Sequence, residues 1–350
     1  PIGDVVVADR PAVGVGHTLA LGAVHAWWNA LLGIDHHWLG QDLWEGLLQR
    51  YVSRVVLEDP QGFATLRGRG AIFVGNHQVQ LESLLITNIL SALLDKPVVT
   101  MANAKHQRRW IGWILGQLFS YPGCRRDPQS IVYFDQTSPT AMPGILDRLA
   151  GSLASGERAF FVHPQGTRSR SCREEVTTIS SLFLDMAIKQ QLPIVPVRFS
   201  GGLPVQPLAG KLEFPIGNTG QCYTIGRPIE PDALAALPYA ERRTHVIQAI
   251  NTLGPAASEE EPGAPDPVFS RAVERYCQET GANEVQATFM LTLMEVVNPC
   301  RETRMLIEGV NRGRLQVENS ALGRWLGELA RRLYGPRGAG LLVRGPGSAA

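Results

Sequence analysis

The stretch Ala71-Ile-Phe-Val-Gly-Asn-His-Gln-Val-Gln-Leu-Glu82 decides how this chain is read. Ala71 to Val74 is an apolar run too short for a helix and closed by Gly75-Asn76. It therefore reads as a buried strand that ends in a loop. Beyond the loop, Leu81, Leu84, Leu85, Ile89 and Ala92 recur at helical spacing. A buried strand handing over to a helix is the opening half of a βα unit.

The same alternation continues outward. Pro97-Val-Val-Thr-Met101 reads as a strand, Ala159-Phe-Phe-Val162 as another, Ser181 to Gln190 as a helix, Ile194 to Phe199 as a strand and Cys222 to Ile225 as the last strand before Gly226. The expected fold class is α/β: a mixed, mostly parallel sheet flanked by helices, over residues 51–253. Pro193 and Pro196 lie at the start and middle of one strand, which suggests an edge or a bulge there. Residues 1–50 read as an N-terminal helical segment. Residues 254–267 hold Pro255, Pro262, Pro265 and Pro267 around the acidic run Glu259 to Glu261, a linker by composition. Residues 268–335 read as a C-terminal helical appendage, with Val285, Phe289, Leu293 and Val297 on one stripe and Leu322, Trp325, Leu326 and Leu329 on another. The Gly-rich residues 336–350 read as a flexible tail.

Charge and cysteine usage narrow the class. The 33 Lys and Arg balance 32 Asp and Glu for a net charge of +1, so no global field draws the chain to nucleic acid. The five cysteines form no C-x-x-C pair, which argues against a disulfide framework or a structural zinc and suits a reducing, cytoplasmic compartment. No charged start leads into an apolar core and cleavage site, and a start at Pro1 suits a processed chain or a domain of a longer protein. No apolar run reaches 18 residues. Leu19 to Ile34 and Trp110 to Phe119 are apolar, and the second follows the basic run Lys105 to Arg109. Trp110, Trp113 and Phe119 therefore suit either peripheral contact with the inner membrane face or burial in a core.

His77 sits where the deciding strand gives way to its helix, at the end of the sheet where ligands of open α/β folds bind. An imidazole there can take a proton from a hydroxyl, and a carboxylate can hold its tautomer and stabilise the imidazolium. Glu82 is the carboxylate in range. On a regular helix, residues five apart point roughly 140° away from each other, so the two meet only if His77 precedes the helix. A second candidate is His163-Pro-Gln-Gly-Thr-Arg-Ser-Arg-Ser171, again after a strand. Gly166 lets the backbone turn, Thr167 offers a hydroxyl, and Arg168 and Arg170 offer planar forks for phosphate or carboxylate. Taken alone, that loop reads more readily as a solvated polar turn. Pro122-Gly-Cys-Arg-Arg-Asp127 is a further basic turn.

In this order the segments resemble the glycerolipid acyltransferase family, which carries an N-H-x4-D block, a Gly-containing block ending in Arg, an F-P-E-G-T-R-S block and a V-P-[VI] block. Here they read Asn76-His77 through Glu82, Gly123-Cys-Arg-Arg126, His163-Pro-Gln-Gly-Thr-Arg-Ser169 and Ile194-Val-Pro-Val197. The resemblance covers roughly residues 52–252. It implies transfer of an acyl group from an acyl-CoA or acyl-carrier-protein thioester to a hydroxyl of a lipid acceptor, without metal or redox cofactor. It implies His77 as base, Glu82 as its orienting carboxylate, and Asn76, Arg125, Arg126, Gln165, Gly166, Thr167 and Arg168 as substrate-binding residues. Backbone N–H groups near the helix start are expected to stabilise the tetrahedral intermediate.

Three residues depart from the family pattern: Glu82 stands for Asp, Gln165 for Glu and His163 for Phe. The last two fall in the acceptor-binding block and put glycerol phosphate in doubt as acceptor. Alternatives are a domain of a multi-domain synthase acting on a carrier-bound acceptor, an inactive lipid-binding or carrier-docking module, and a thioesterase-like hydrolase. The absence of a G-x-S-x-G elbow argues against a serine hydrolase.

Overall fold

The Val-rich segment near the N-terminus pairs as strands. In the computed structural model, which describes residues 4–7, 15–18, 20–135, 141–334 and 342–344, β1 (Asp4–Val7) and β2 (Val15–Thr18) form an antiparallel pair. This corrects the all-helical reading of residues 1–50. The β-branched run Val5 to Val7 favours an extended chain and pairs in parallel with β3 (Val52–Leu57). Helix begins only at Leu21.

The apolar runs picked out above supply the centre of the sheet. They are β4 (Ile72–Gly75), β5 (Val98–Asn103), β6 (Ile131–Phe134), β7 (Ala159–Val162), β8 (Ile194–Ser200) and β9 (Gln221–Ile225). Among the described residues the sheet runs β2-β1-β3-β9-β8-β4-β7-β5-β6. Only the β1–β2 and β8–β9 pairs are antiparallel, so the fold is the expected mixed, mostly parallel α/β sheet flanked by helices. Every residue of β4, β7 and β8 is buried, as strands covered on both faces must be. Pro196 lies in an interior strand rather than at an edge. It falls between the last β8–β9 ladder pair, Val197 with Ile225, and the separate bridge from Ile194 to Ile229, where its missing N–H interrupts no ladder bond.

Two compact units divide the chain. The sheet unit holds residues 1–24, 51–105 and 129–265. Its core packs Ile72, Val74, Phe160 and Ile194 with Phe183 and Leu184 of the helix Leu182–Lys189 and with Val246 and Ile250 of the helix Tyr239–Asn251. A fully buried phenylalanine such as Phe160 contributes about 1.5–3 kcal/mol of transfer free energy. The supposed linker belongs to this unit up to Pro265. Its Glu260 is 1% exposed and ion-paired at 2.8 Å with the 3%-exposed Arg198. Proline content alone does not reveal such an anchor.

The helical unit holds residues 25–50, 106–128 and 266–350. Residues 106–128 thus belong to this unit, while the segments that flank them in sequence belong to the sheet unit. Gln117 and Trp325 explain why: the Gln117 amide donates to the Trp325 carbonyl at 3.0 Å, and the Trp325 indole donates to the Gln117 carbonyl at 2.6 Å. Trp110 meets Phe289 edge-on, and the Arg332 guanidinium lies over Trp113. The stripe from Val285 stops at Leu293, because its helix ends at Met294, and Val297 is 82% exposed. The expected flexible tail lies outside the described residues except for a strand at Leu342–Arg344. No helix among the described residues is long and apolar enough to cross a membrane.

Candidate active site

Parallel pairing of β4 with β7 sets Val74 beside Val162, so the loops that leave these strands emerge side by side. The first carries His77 and the second His163. Asn76 extends the β4–β8 ladder by one step: its amide donates to the Phe199 carbonyl at 2.9 Å, and its oxygen accepts from the Phe199 N–H at 2.7 Å. Both ends of that side chain are thereby engaged with backbone. At Gly75 the space is close, since a Cβ there would lie 3.1 Å from the Phe199 ring.

The helix that follows β4 starts at Glu82, which leaves His77 in the loop before it. The structure brings the pair together, with Nδ1 of His77 2.8 Å from Oε1 of Glu82. Glu82 is wholly buried. Its Oε1 also accepts from the Gln78 N–H at 2.7 Å, and its Oε2 from the Val79 N–H at 3.2 Å and the Gln221 amide at 3.1 Å. Burial pushes its carboxyl up to about 7, against the pull of His163 and these donors.

His163 lies flat against His77, ring centroids 3.7 Å apart and planes 11° from parallel. Its Nδ1 is 2.6 Å from the Asn76 carbonyl and its Nε2 2.8 Å from the Ser83 hydroxyl. A carbonyl only accepts, so Nδ1 carries the proton and Nε2 accepts from Ser83. Burial, next to Phe161 and Phe199, lowers its pKa to about 3, and the neighbouring His77 adds to the effect. His163 is therefore a neutral ring at any ordinary pH. In sequence it stood only as a departure from Phe; nothing in the spacing announced the stack.

His77, Glu82 and His163 bring three potential metal-ligand atoms within 4.8 Å of one another. Imidazole lone pairs lie in the ring plane, and two near-parallel stacked rings aim theirs side by side rather than at one ion. The geometry fits a stacked dyad and not a metal centre.

The second loop turns at Gly166, whose φ is +72° with open space where a Cβ would project. The Ser169 N–H donates to the His77 carbonyl at 2.7 Å, tying the two loops together. Arg168 is not bare. Its guanidinium donates to the Leu212 carbonyl and lies 3.3 Å from a Glu213 carboxylate oxygen. Thr167 accepts from Lys211, and Oε1 of Gln165 is buried with no hydrogen-bond partner among the described residues. Residues 211–213 thus strap both loops, since Gln80 N–H donates to Leu212 O and Leu81 N–H to Glu213 O. Of the backbone N–H groups near the helix start, where donors for a developing oxyanion are expected, those of Gln78, Val79, Gln80 and Leu81 are engaged. Sequence reading missed Lys211 and Glu213, which lie in a polar segment with no motif. Arg125 and Arg126 belong to the helical unit, where the Arg125 N–H donates to the Leu32 carbonyl.

Among solved structures, the chain is similar to the 1-acyl-sn-glycerophosphate (LPA) acyltransferase PlsC from Thermotoga maritima, at 19% identity over 66% of this chain and 76% of that one, with a TM-score of 0.39. No curated protein matches. Residues 54–200, the stretch that carries His77, Glu82 and the Gly166–Arg168 turn, match the family model described as Acyltransferase.

Proposed function

We propose that this acyltransferase moves a fatty acyl group from an acyl-CoA or acyl-carrier-protein thioester to a hydroxyl of a glycerolipid-type, lysophosphatidate-like acceptor. The 2.8 Å contact between His77 and Glu82 at the end of β4 carries the reading. With Nδ1 turned to Glu82, Nε2 of His77 takes the proton from the acceptor hydroxyl. The oxygen attacks the thioester carbonyl, the C–S bond breaks, and the thiolate leaves with the proton from His77. Glu82 holds the ring and offsets the transient imidazolium charge. Incubation with palmitoyl-CoA or palmitoyl-acyl-carrier protein and lysophosphatidate, followed by mass spectrometry, tests it. Diacylated product that is lost in His77→Ala supports the proposal, and equal product from the variant refutes it.

One observation favours a second acceptor class. Arg168 already faces the carboxylate of Glu213, so an internal anion stands where an acceptor phosphate would. An acyltransferase domain acting on an uncharged hydroxyl of a carrier-bound acceptor fits that arrangement. Peripheral membrane contact through Trp110, Trp113 and Phe119 is part of the first reading. Vesicle co-sedimentation that is unchanged in Trp113→Ala would remove it.

A further inference from the structure

Glu82 is held by a side chain that no motif contains. Gln221, at the start of β9, is 1% exposed and lies beyond the residues that match the family. Its amide nitrogen is 3.1 Å from Oε2 of Glu82 and 3.2 Å from Oε1 of Gln78. Both partners are acceptors, so the NH2 group must face them. Gln78 in turn donates its own amide to Oε1 of Glu260 at 2.7 Å, while its oxygen also accepts from the Gly202 N–H at 2.9 Å. Glu260 closes the chain on Arg198 at 2.8 Å and on the Gly201 N–H at 3.1 Å.

The direction of this chain is fixed from both ends. Carboxylates sit at each terminus, and each demands a donor. That forces Gln78 to point its NH2 at Glu260 and its oxygen at Gln221, and Gln221 to point its NH2 at Glu82. A flipped amide at either position would set oxygen against oxygen in a buried site, where an unmet polar group is costly. The backbone makes room for the link: a Cβ on Gly202 would fall 2.4 Å from the Gln221 nitrogen. Gln221 is also the only side-chain amide on Glu82 among the described residues.

We propose that Gln221 is a positioning residue for the catalytic carboxylate, anchored through Gln78 to the buried Glu260–Arg198 pair. The acyl-transfer dyad is thus oriented in part from outside the family's own segment. Loss of the Gln221 donor leaves Oε2 with one backbone N–H, which weakens the ionised form and frees the carboxylate to turn from His77. The charged and titratable groups that face Glu82 are His77 from its own loop, His163 from the β7 loop and Tyr223 from β9. None of them replaces the lost donor.

The proposal deepens the acyl-transfer reading, but the titration that decides it consumes no acyl substrate, so the two can fail separately. The full chain is labelled with 13C at glutamate side-chain carboxyls and with 15N at glutamine amides, with Glu82→Gln identifying the Glu82 signal. In Gln221→Leu the Glu82 midpoint is expected to rise by about one pH unit, the size of a lost hydrogen bond to a charged group. In the unsubstituted protein the Gln221 side-chain amide is expected to shift with the same midpoint as Glu82. With palmitoyl-CoA and lysophosphatidate as probes, kcat is expected to fall about tenfold with KM for the donor unchanged. An unmoved Glu82 midpoint in a folded variant overturns the proposal. So does a Gln221 amide that stays flat through the Glu82 transition, a measurement that needs no variant to fold. Gln221→Met, closer in length, serves if the leucine variant does not fold.

Discussion

The imidazole of His163 lies flat on that of His77, with 3.7 Å between ring centroids and 11° between planes. The stack gives His163 an acid-sensitive contribution to stability. Burial lowers the His163 pKa from 6.5 to about 3 in the folded chain, while the unfolded chain binds a proton below 6.5. At this group the unfolded state therefore gains its proton first as pH falls, and the His163 contribution to stability drops through that window. Glu82 opposes it, because its raised pKa lets the folded chain take up that proton first. Between pH 7.5 and pH 5 the His163 contribution falls by about 2 kcal/mol, from 1.36 kcal/mol per unit over the 1.5 units below 6.5. His163→Phe keeps an aromatic face on His77 and removes the titration. Urea unfolding at the two pH values should show the variant gaining about that amount on the parent as pH falls. A constant difference between the two proteins would show that His163 does not carry the acid sensitivity.

Much of this site was legible, and the limits of legibility are physical. The strand at residues 71–74 and the helical spacing beyond it place His77 in the connecting loop, and the geometry of a helix requires that loop for a meeting with Glu82. Gly166 follows from the same logic, since a turn needs a residue at ease with positive φ. Gln221 and Glu260 were invisible because their partners are distant in sequence, and a buried amide or a glutamate in a proline-rich stretch has no periodicity to betray it. Residues 106–128 read as part of the sheet domain because local pattern says nothing about which core a helix joins. The reciprocal bonds between Gln117 and Trp325 decide that.

In the proposed mechanism, Glu82 gives the dyad its pH dependence. Burial holds its carboxyl at about 7, so the ionised form that orients His77 fades as pH falls through neutrality. The acid limb of kcat/KM should lie near pH 7, above the range of an ordinary carboxylate. In Glu82→Gln, transfer should fall by about 10²–10⁴, the usual scale of acid–base assistance, and the limb should lose its Glu82 component. His77→Ala should lose at least as much, with far-UV circular dichroism unchanged. A pH–rate profile for parent and both variants reads these outcomes directly. Full activity in Glu82→Gln would remove the carboxylate from the mechanism.

Gly166 should tolerate a methyl group in space but not in backbone angle. Nothing lies within 4 Å of its would-be Cβ, yet its φ is +72°. Gly166→Ala should therefore destabilise the fold by about 1–2 kcal/mol through the left-handed conformation alone. It should also raise the acceptor KM more than it lowers kcat, because the turn carries Thr167 and Arg168. Thermal unfolding and steady-state kinetics together check both parts. An unchanged melting temperature would mean that the turn relaxes.

Arg168 and Glu213 separate the two acceptor readings. Glu213 lies 3.3 Å from the Arg168 guanidinium and Arg168 also donates to the Leu212 carbonyl, so the arginine is held ready and partly neutralised. For a phosphate-bearing acceptor, Glu213→Ala removes a competing anion and should lower the KM for lysophosphatidate by about three- to tenfold, while Arg168→Ala should raise it by a similar factor. For an uncharged acceptor on a carrier, Glu213→Ala should leave KM unmoved, and Arg168→Ala should act mainly on stability by freeing the 211–213 strap. Added salt sharpens the distinction, because screening weakens an arginine–phosphate contact at a partly open site more than it weakens packing of the strap. Kinetics of both variants at low and high ionic strength, with lysophosphatidate and with a neutral monoacylglycerol as acceptors, therefore reveal whether Arg168 answers to a substrate anion or only to Glu213.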